Sequence, residues 1–229
     1  NTNHRRIGEM VSIQWGLQNS DNWVTAELMS RTSPITFKRL LESYGLRGPI
    51  EATMAMSLGT PEATVGEMVS GYTTFVNDGV RVDPVMVTQI EDMHGNIVAT
   101  FTPKMTEVFT ADAAHKMLYM LQNVINGGTG GRLRSSFGLQ MPLGGKTGTT
   151  QNNSDAWFMG FSPDLVAGCW VGGEERSIRF SSMAFGQGAA AALPIFGKFM
   201  KKVYSDKTLG YLVGIPFQIP PGFSPCYDA

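Results

Sequence analysis

Residues 144–172 read GGKTGTTQNNSDAWFMGFSPDLVAGCWVG, and the fold class turns on how this stretch divides. Residues 146–150, 156–161 and 165–171 are short runs rich in β-branched and aromatic residues, each bounded by turn chemistry, and read as three strands. Gly144-Gly145 bring the chain out of a loop into the first strand, and Pro163-Asp164 make a tight turn between the last two. Connections this short join antiparallel neighbours. The three strands therefore predict an antiparallel sheet.

On either side the periodicity is helical. Thr110 caps a helix whose apolar face is Met117, Leu118, Leu121, Val124 and Ile125, and Gly127-Gly128 end it. Thr60-Pro61 read as an N-cap and first helical residue, with an apolar face from Val65 to Val76 and a stop at Gly79. Residues 36–44 form a short helix closed by Gly45, and residues 7–28 a helical pattern broken by the polar knot Asn19-Ser20-Asp21-Asn22. Between the helices, residues 85–91 and 97–101 read as a hairpin turning at His94-Gly95-Asn96. An Ala-rich helix spans about 187–203 with a kink or break at Pro194, and the Pro-rich tail from 204 is extended. Helices first, then antiparallel strands, then a closing helix define an α+β domain with a helical lobe against the sheet. Its parts are a mostly helical lobe with a small hairpin (1–143), the strands and closing helix (144–203), and the tail (204–229).

Composition narrows the function. Hydrophobic residues make up 42% and charged residues 16%, as in a folded globular chain. Eighteen Lys and Arg against nineteen Asp and Glu, with no run of like charge, give no electrostatic footprint for nucleic acid. The most apolar stretch, 186–199, contains Pro194 and is shorter than the ~20 residues of a membrane helix. Cys169 and Cys226 make no CxxC pair, and with three His the chain offers no zinc pattern; no metal or cofactor is expected. Cys169, in a strand, reads as a free buried thiol in preference to a disulfide with Cys226. The N-terminus, Asn-Thr-Asn-His, reads as a cut inside a longer protein.

Two tripeptides carry chemistry: Ser20-Asp21-Asn22 on a helix-to-helix turn, and Lys146-Thr147-Gly148, followed by Thr149, opening a strand after glycines. Ser-x-Asn is too common to mean much alone, whereas Lys-Thr-Gly is informative; S-D-N and K-T-G together mark class A β-lactamases and penicillin-binding proteins. On an edge strand Lys146 would send its ammonium into a cleft, with the hydroxyls of Thr147 and Thr149 to the same side, an array suited to a carboxylate. Gly148 would let a substrate backbone lie close and pair with the strand. The bland reading is a hairpin with an exposed lysine and two solvated threonines.

Residues 144–172 closely resemble the transpeptidase domain of bifunctional, class A penicillin-binding proteins, through Lys146, Thr147, Gly148, Thr149, Thr150, Asp155, Ala156, Trp157, Phe158, Gly160, Pro163, Trp170 and Gly172. Residues 20–28 resemble the S-x-N-W helix of that family, Gly95-Asn96 its hairpin, and residues 60–79 its T-P-x-E-M helix with slightly altered spacing at Thr64 and Gly66. The resemblance runs from about residue 3 to 203.

It implies a penicillin-binding-protein/β-lactamase-like fold and acyl transfer from D-Ala-D-Ala stem peptides of peptidoglycan, with β-lactams entering the same cycle. It implies that Ser20 relays a proton between a catalytic lysine and the leaving group, that Asn22 binds the substrate's side-chain amide, and that Lys146 holds Ser20 electrostatically. Thr147 and Thr149 would bind the terminal carboxylate, and the Thr149 backbone N–H would be half of an oxyanion hole. Asp21 is read as a turn former, and Trp157 and Trp170 as packing residues. The family's nucleophile lies in a Ser-x-x-Lys motif, and no serine here, from Ser12 to Ser224, has Lys three positions on. The first strands and nucleophile helix are expected in an upstream or companion segment, with a membrane anchor and a site of action on the outer face of the cytoplasmic membrane; the chain alone should not acylate. A β-lactamase would need a Glu-x-x-Leu-Asn loop, which is absent, and a non-catalytic module that discarded the serine is the other alternative.

Overall fold

The computed structural model describes residues 8–175 and 177–226. The helical pattern of the first thirty residues forms two helices, α1 (Ile13–Asn19) and α2 (Asn22–Ser30). Ser20 caps α1 in the left-handed region (φ 57°), and Asp21 begins α2 by accepting the Trp23 and Val24 N–H groups at 2.9 and 3.1 Å. The helices then touch where Gly16 meets Val24, since a Cβ on Gly16 would lie 2.5 Å from Val24 Cγ1. A glycine there sets the corner that presents Ser20.

Helix α3 (Pro34–Tyr44) ends at Gly45, whose φ of 113° suits a residue without a side chain. Helix α4 (Val65–Tyr72) begins later than its sequence suggests: Thr64, and not Thr60, is the N-cap, in a capping box with Glu67. Glu67 also accepts the Arg47 N–H at 3.0 Å, a tertiary bond that favours this start. A 3-10 turn, Thr73–Phe75, continues α4, and the chain turns at Gly79 (φ 88°) into strand β1 (Val80–Val82). The expected hairpin is present but shorter: β2 (Gln89–Glu91) pairs antiparallel with β3 (Ile97–Thr100), and Asp92 accepts the turn's His94 and Asn96 N–H groups. Strand β4 (Met105–Glu107) pairs with β1, a small sheet not evident in the sequence.

Helix α5 (Ala111–Gly127), capped by Thr110, and a short α6 (Arg132–Ser135) lead to the main sheet. Its strands β5 (Gly144–Thr149), β6 (Asp155–Phe161) and β7 (Val166–Gly172) run in the antiparallel order β5-β6-β7. A single turn, α7 (Met183–Gly186), precedes α8 (Ala192–Ser205). Pro194 is the third residue of α8 and does not kink it, because first-turn N–H groups have no intrahelical acceptor. Residues 187–191 form turns, not helix, and after α8 a 3-10 turn, Lys207–Leu209, precedes the irregular tail.

Strand β6 divides the core by its alternation. Met159 and Phe161 join Tyr72, Phe75, Leu118 and Leu121 on one face; Ala156 and Phe158 join Leu193, Phe196 and Met200 of α8 on the other. Helix α5 reaches both clusters, and it packs beside β5 and against α1. Both cysteines are free; Cys169 lies on β7, where burial pushes its thiol up. No helix among the described residues is long and apolar enough to cross a membrane.

Phe196 is fully buried against Phe158, whereas Phe199, one turn on, is 45% exposed. Phe196→Ala should lower unfolding stability by about 3–5 kcal/mol, and Phe199→Ala by far less, as read from urea midpoints.

Candidate active site

Strand β5 is an edge of its sheet, so half of its backbone groups face outward. Thr150 N–H donates to Asp155 O at 3.1 Å, which makes positions 150, 148 and 146 the inward-paired phase. Thr147 and Thr149 therefore turn their N–H and C=O groups to the open side. The end of the strand is locked by Asp155, whose carboxylate accepts from Thr150 Oγ1 (2.9 Å), Ser154 Oγ (3.1 Å) and Trp170 Nε1 (2.9 Å).

Facing this edge is the α1–α2 corner. Lys146 Nζ donates to Ser20 Oγ at 2.5 Å and to Thr147 O at 2.9 Å, joining residues 126 apart in the chain. The ammonium is withdrawn from water between strand and helices, and this desolvation lowers its pKa from 10.5 to about 8. Ser20, a non-glycine residue at positive φ, is held by its own N–H on Leu17 O and by the Asp21 N–H on Gly16 O at 2.8 Å. Asn22 stands exposed at the first position of α2, two residues from Ser20.

The register departs from the expected one-sided array. Lys146 lies opposite Met159, whereas Thr147 and Thr149 lie opposite Phe158 and Ala156. The two threonines share a sheet face, and Lys146 starts from the other, its ammonium reaching the open edge at Thr147 O. Thr149 Oγ1 accepts the Gly188 N–H at 3.0 Å. A Cβ on Gly188 would lie 2.3 Å from Trp157 O and 2.4 Å from Gly148 O, so glycine lets the segment before α8 press flat on the strands. The missing side chain of Gly148 makes room on the opposite face for Trp157, whose Cβ would be 3.0 Å from an added Cβ. Trp157 and Trp170 pack together, ring centroids 6.5 Å apart.

One residue of the site escaped the sequence reading. Thr129 Oγ1 lies 2.8 Å from Thr147 Oγ1. Its loop is docked on the end of α1, with Thr129 N–H on Gln18 O at 3.2 Å and a Gly128 Cβ position only 2.3 Å from Gln18 O. The available signal was a lone hydroxyl inside Gly127-Gly128-Thr129-Gly130-Gly131, a run suited to close backbone approach.

Ammonium, hydroxyls and an outward-facing backbone edge thus line one groove. Among the described residues no group of three or more His, Cys, Asp or Glu could hold a metal ion. Residues 1–172 match the penicillin binding protein transpeptidase domain. Penicillin-binding protein 1A of Aquifex aeolicus (strain VF5) is 31% identical over 196 residues, covering 84% of this chain and 26% of that protein. The Neisseria meningitidis serogroup B (strain ATCC BAA-335 / MC58) protein of the same name is 28% identical over 208 residues, covering 88% and 25%. The chain thus spans about a quarter of the length of these curated relatives. The crystal structure of Penicillin-Binding Protein 1A from Haemophilus influenzae superposes with a TM-score of 0.78 over 92% of this chain and 36% of that one, at 23% identity. The expected α+β architecture is therefore the fold of these proteins, and the chain belongs to the penicillin-binding protein transpeptidase domain family.

Proposed function

We propose that this chain supplies the binding side of a peptidoglycan D,D-transpeptidase site, completed in a longer protein by a serine from a Ser-x-x-Lys segment outside these 229 residues. The observation that carries the reading is the Lys146–Ser20 hydrogen bond, which joins the two motifs that family resemblance pairs. In this reading the serine attacks the carbonyl between the two D-Ala residues of a stem peptide. Ser20 passes a proton to the departing D-Ala amine, and an amine of a second stem peptide later takes the acyl group. Thr149 N–H, on the open edge, would donate to the developing oxyanion, and Asn22 would bind the donor's side-chain amide. The donor would lie along β5 as an added strand. A β-lactam would enter the same cycle and stall as an acyl-enzyme. Peptidoglycan lies outside the cytoplasmic membrane, so the site would work there, on a protein anchored through another segment. No cofactor is needed.

The test is acylation of the protein extended to include its serine segment. Benzylpenicillin should add one mass equivalent, and nitrocefin should give a stoichiometric burst; sustained nitrocefin hydrolysis would instead support the β-lactamase alternative, and no adduct would overturn the reading. Ser20→Ala should slow acylation at least ~10²-fold.

The pH profile is a second test. Lys146 carries its charge only below about 8, so acylation should decline as pH rises through 8; an ordinary lysine would hold the rate to about 10.5. The linked effect on stability has a definite sign. The folded-state pKa lies below the unfolded value, so the folded protein pays for the ammonium below pH 8, and this penalty fades between 8 and 10.5. Lys146→Met should therefore raise Tm at pH 7 while abolishing acylation, and its advantage in Tm over the parent should shrink toward pH 10.

A further inference from the structure

We propose that Thr129 is a substrate-binding residue, its hydroxyl forming with that of Thr147 a two-hydroxyl clamp for the carboxylate of an acyl donor. The inference rests on the transpeptidase reading and extends it to a residue outside both motifs. Its basis is the 2.8 Å contact between Thr129 Oγ1 and Thr147 Oγ1, made across the groove from a loop to an edge strand.

Both threonines are partly exposed, so a ligand can reach them. The Lys146 ammonium is hydrogen-bonded to the carbonyl of Thr147, which gathers one positive charge and two hydroxyls about a single residue of β5. In a hydroxyl pair one O–H donates within the pair and the other stays free to turn outward. An arriving anion can accept a hydrogen bond from that free O–H, then one from the second hydroxyl as the pair opens. Such charge-assisted bonds are stronger than the neutral one they replace. The third hydroxyl of the groove is engaged otherwise: Thr149 Oγ1 is held by Gly188 N–H from the α8 face.

A merely structural role accounts for the pair less well. The loop is already pinned through its backbone, by Thr129 N–H on Gln18 O, Gly130 N–H on Val124 O at 3.0 Å and Gly131 N–H on Gly128 O at 3.0 Å. One part-exposed hydroxyl pair adds little to that.

The experiment uses the full-length protein bearing its serine segment and compares acylation by benzylpenicillin with acylation by its methyl ester, in which the carboxylate is masked. Thr129→Val should lower the acid-to-ester ratio of second-order rate constants about 10-fold, and Thr129→Ser should restore it. An unchanged ratio in Thr129→Val, including one in which both rates fall together, would overturn the clamp alone. Because the ratio is taken within one variant, partial misfolding does not alter it. Parent protein acylated by neither compound would overturn the transpeptidase reading, and the clamp with it.

Discussion

The site depends on a cation kept where water is scarce. Moving an ammonium out of water is costly, and among the described residues two hydrogen bonds, to Ser20 Oγ and to the carbonyl of Thr147, offset part of that cost. The drop in the Lys146 pKa to about 8 is the sign that the offset is incomplete. A lysine in that condition is unfavourable for stability; under the proposed function it would attract the anionic end of a donor and keep the neighbouring Ser20 hydroxyl oriented.

Much of the surrounding structure reads as a frame for that contact. Gly16 lets α1 and α2 touch, and the left-handed turn at Ser20 points the corner at β5. Helix α5 packs against both α1 and β5, fixing the distance the lysine must span. From the far face Phe196 and Gly188 support the strands, and Asp155 ties the end of β5 to Ser154 and Trp170. Substitutions at these positions would act on the groove by moving one wall relative to the other.

Sequence patterns disclosed the parts of this arrangement that depend on near neighbours. Thr110, Gly45 and Asp21 mark helix ends because their bonds or dihedrals are made within a few residues, and the three strands from 144 to 172 declare themselves through β-favouring residues bounded by turn chemistry. What stayed hidden depends on contacts distant in the chain. Thr60 and Thr64 both offer a cap, and the choice goes to Thr64, whose partner Glu67 also binds Arg47. Strands β1 and β4 have three residues each and gain meaning only when paired. The opposite-face start of Lys146 and Thr147 follows from period-two alternation, but that the ammonium would still meet the edge at Thr147 O required the corner to be in place. Thr129, among glycines, looked like loop until its hydroxyl was found beside Thr147.

The most direct measurement is the titration of Lys146 itself. In protein labelled with ¹³C at lysine Cε, its resonance can be assigned by its loss in Lys146→Arg and followed by NMR as pH is raised. A midpoint near 8 is the expected result, with Ser20→Ala shifting that one resonance more than any other lysine's. A midpoint close to the ordinary 10.5, unaffected by Ser20→Ala, would mean that the ammonium sits in water and that the two motifs do not meet.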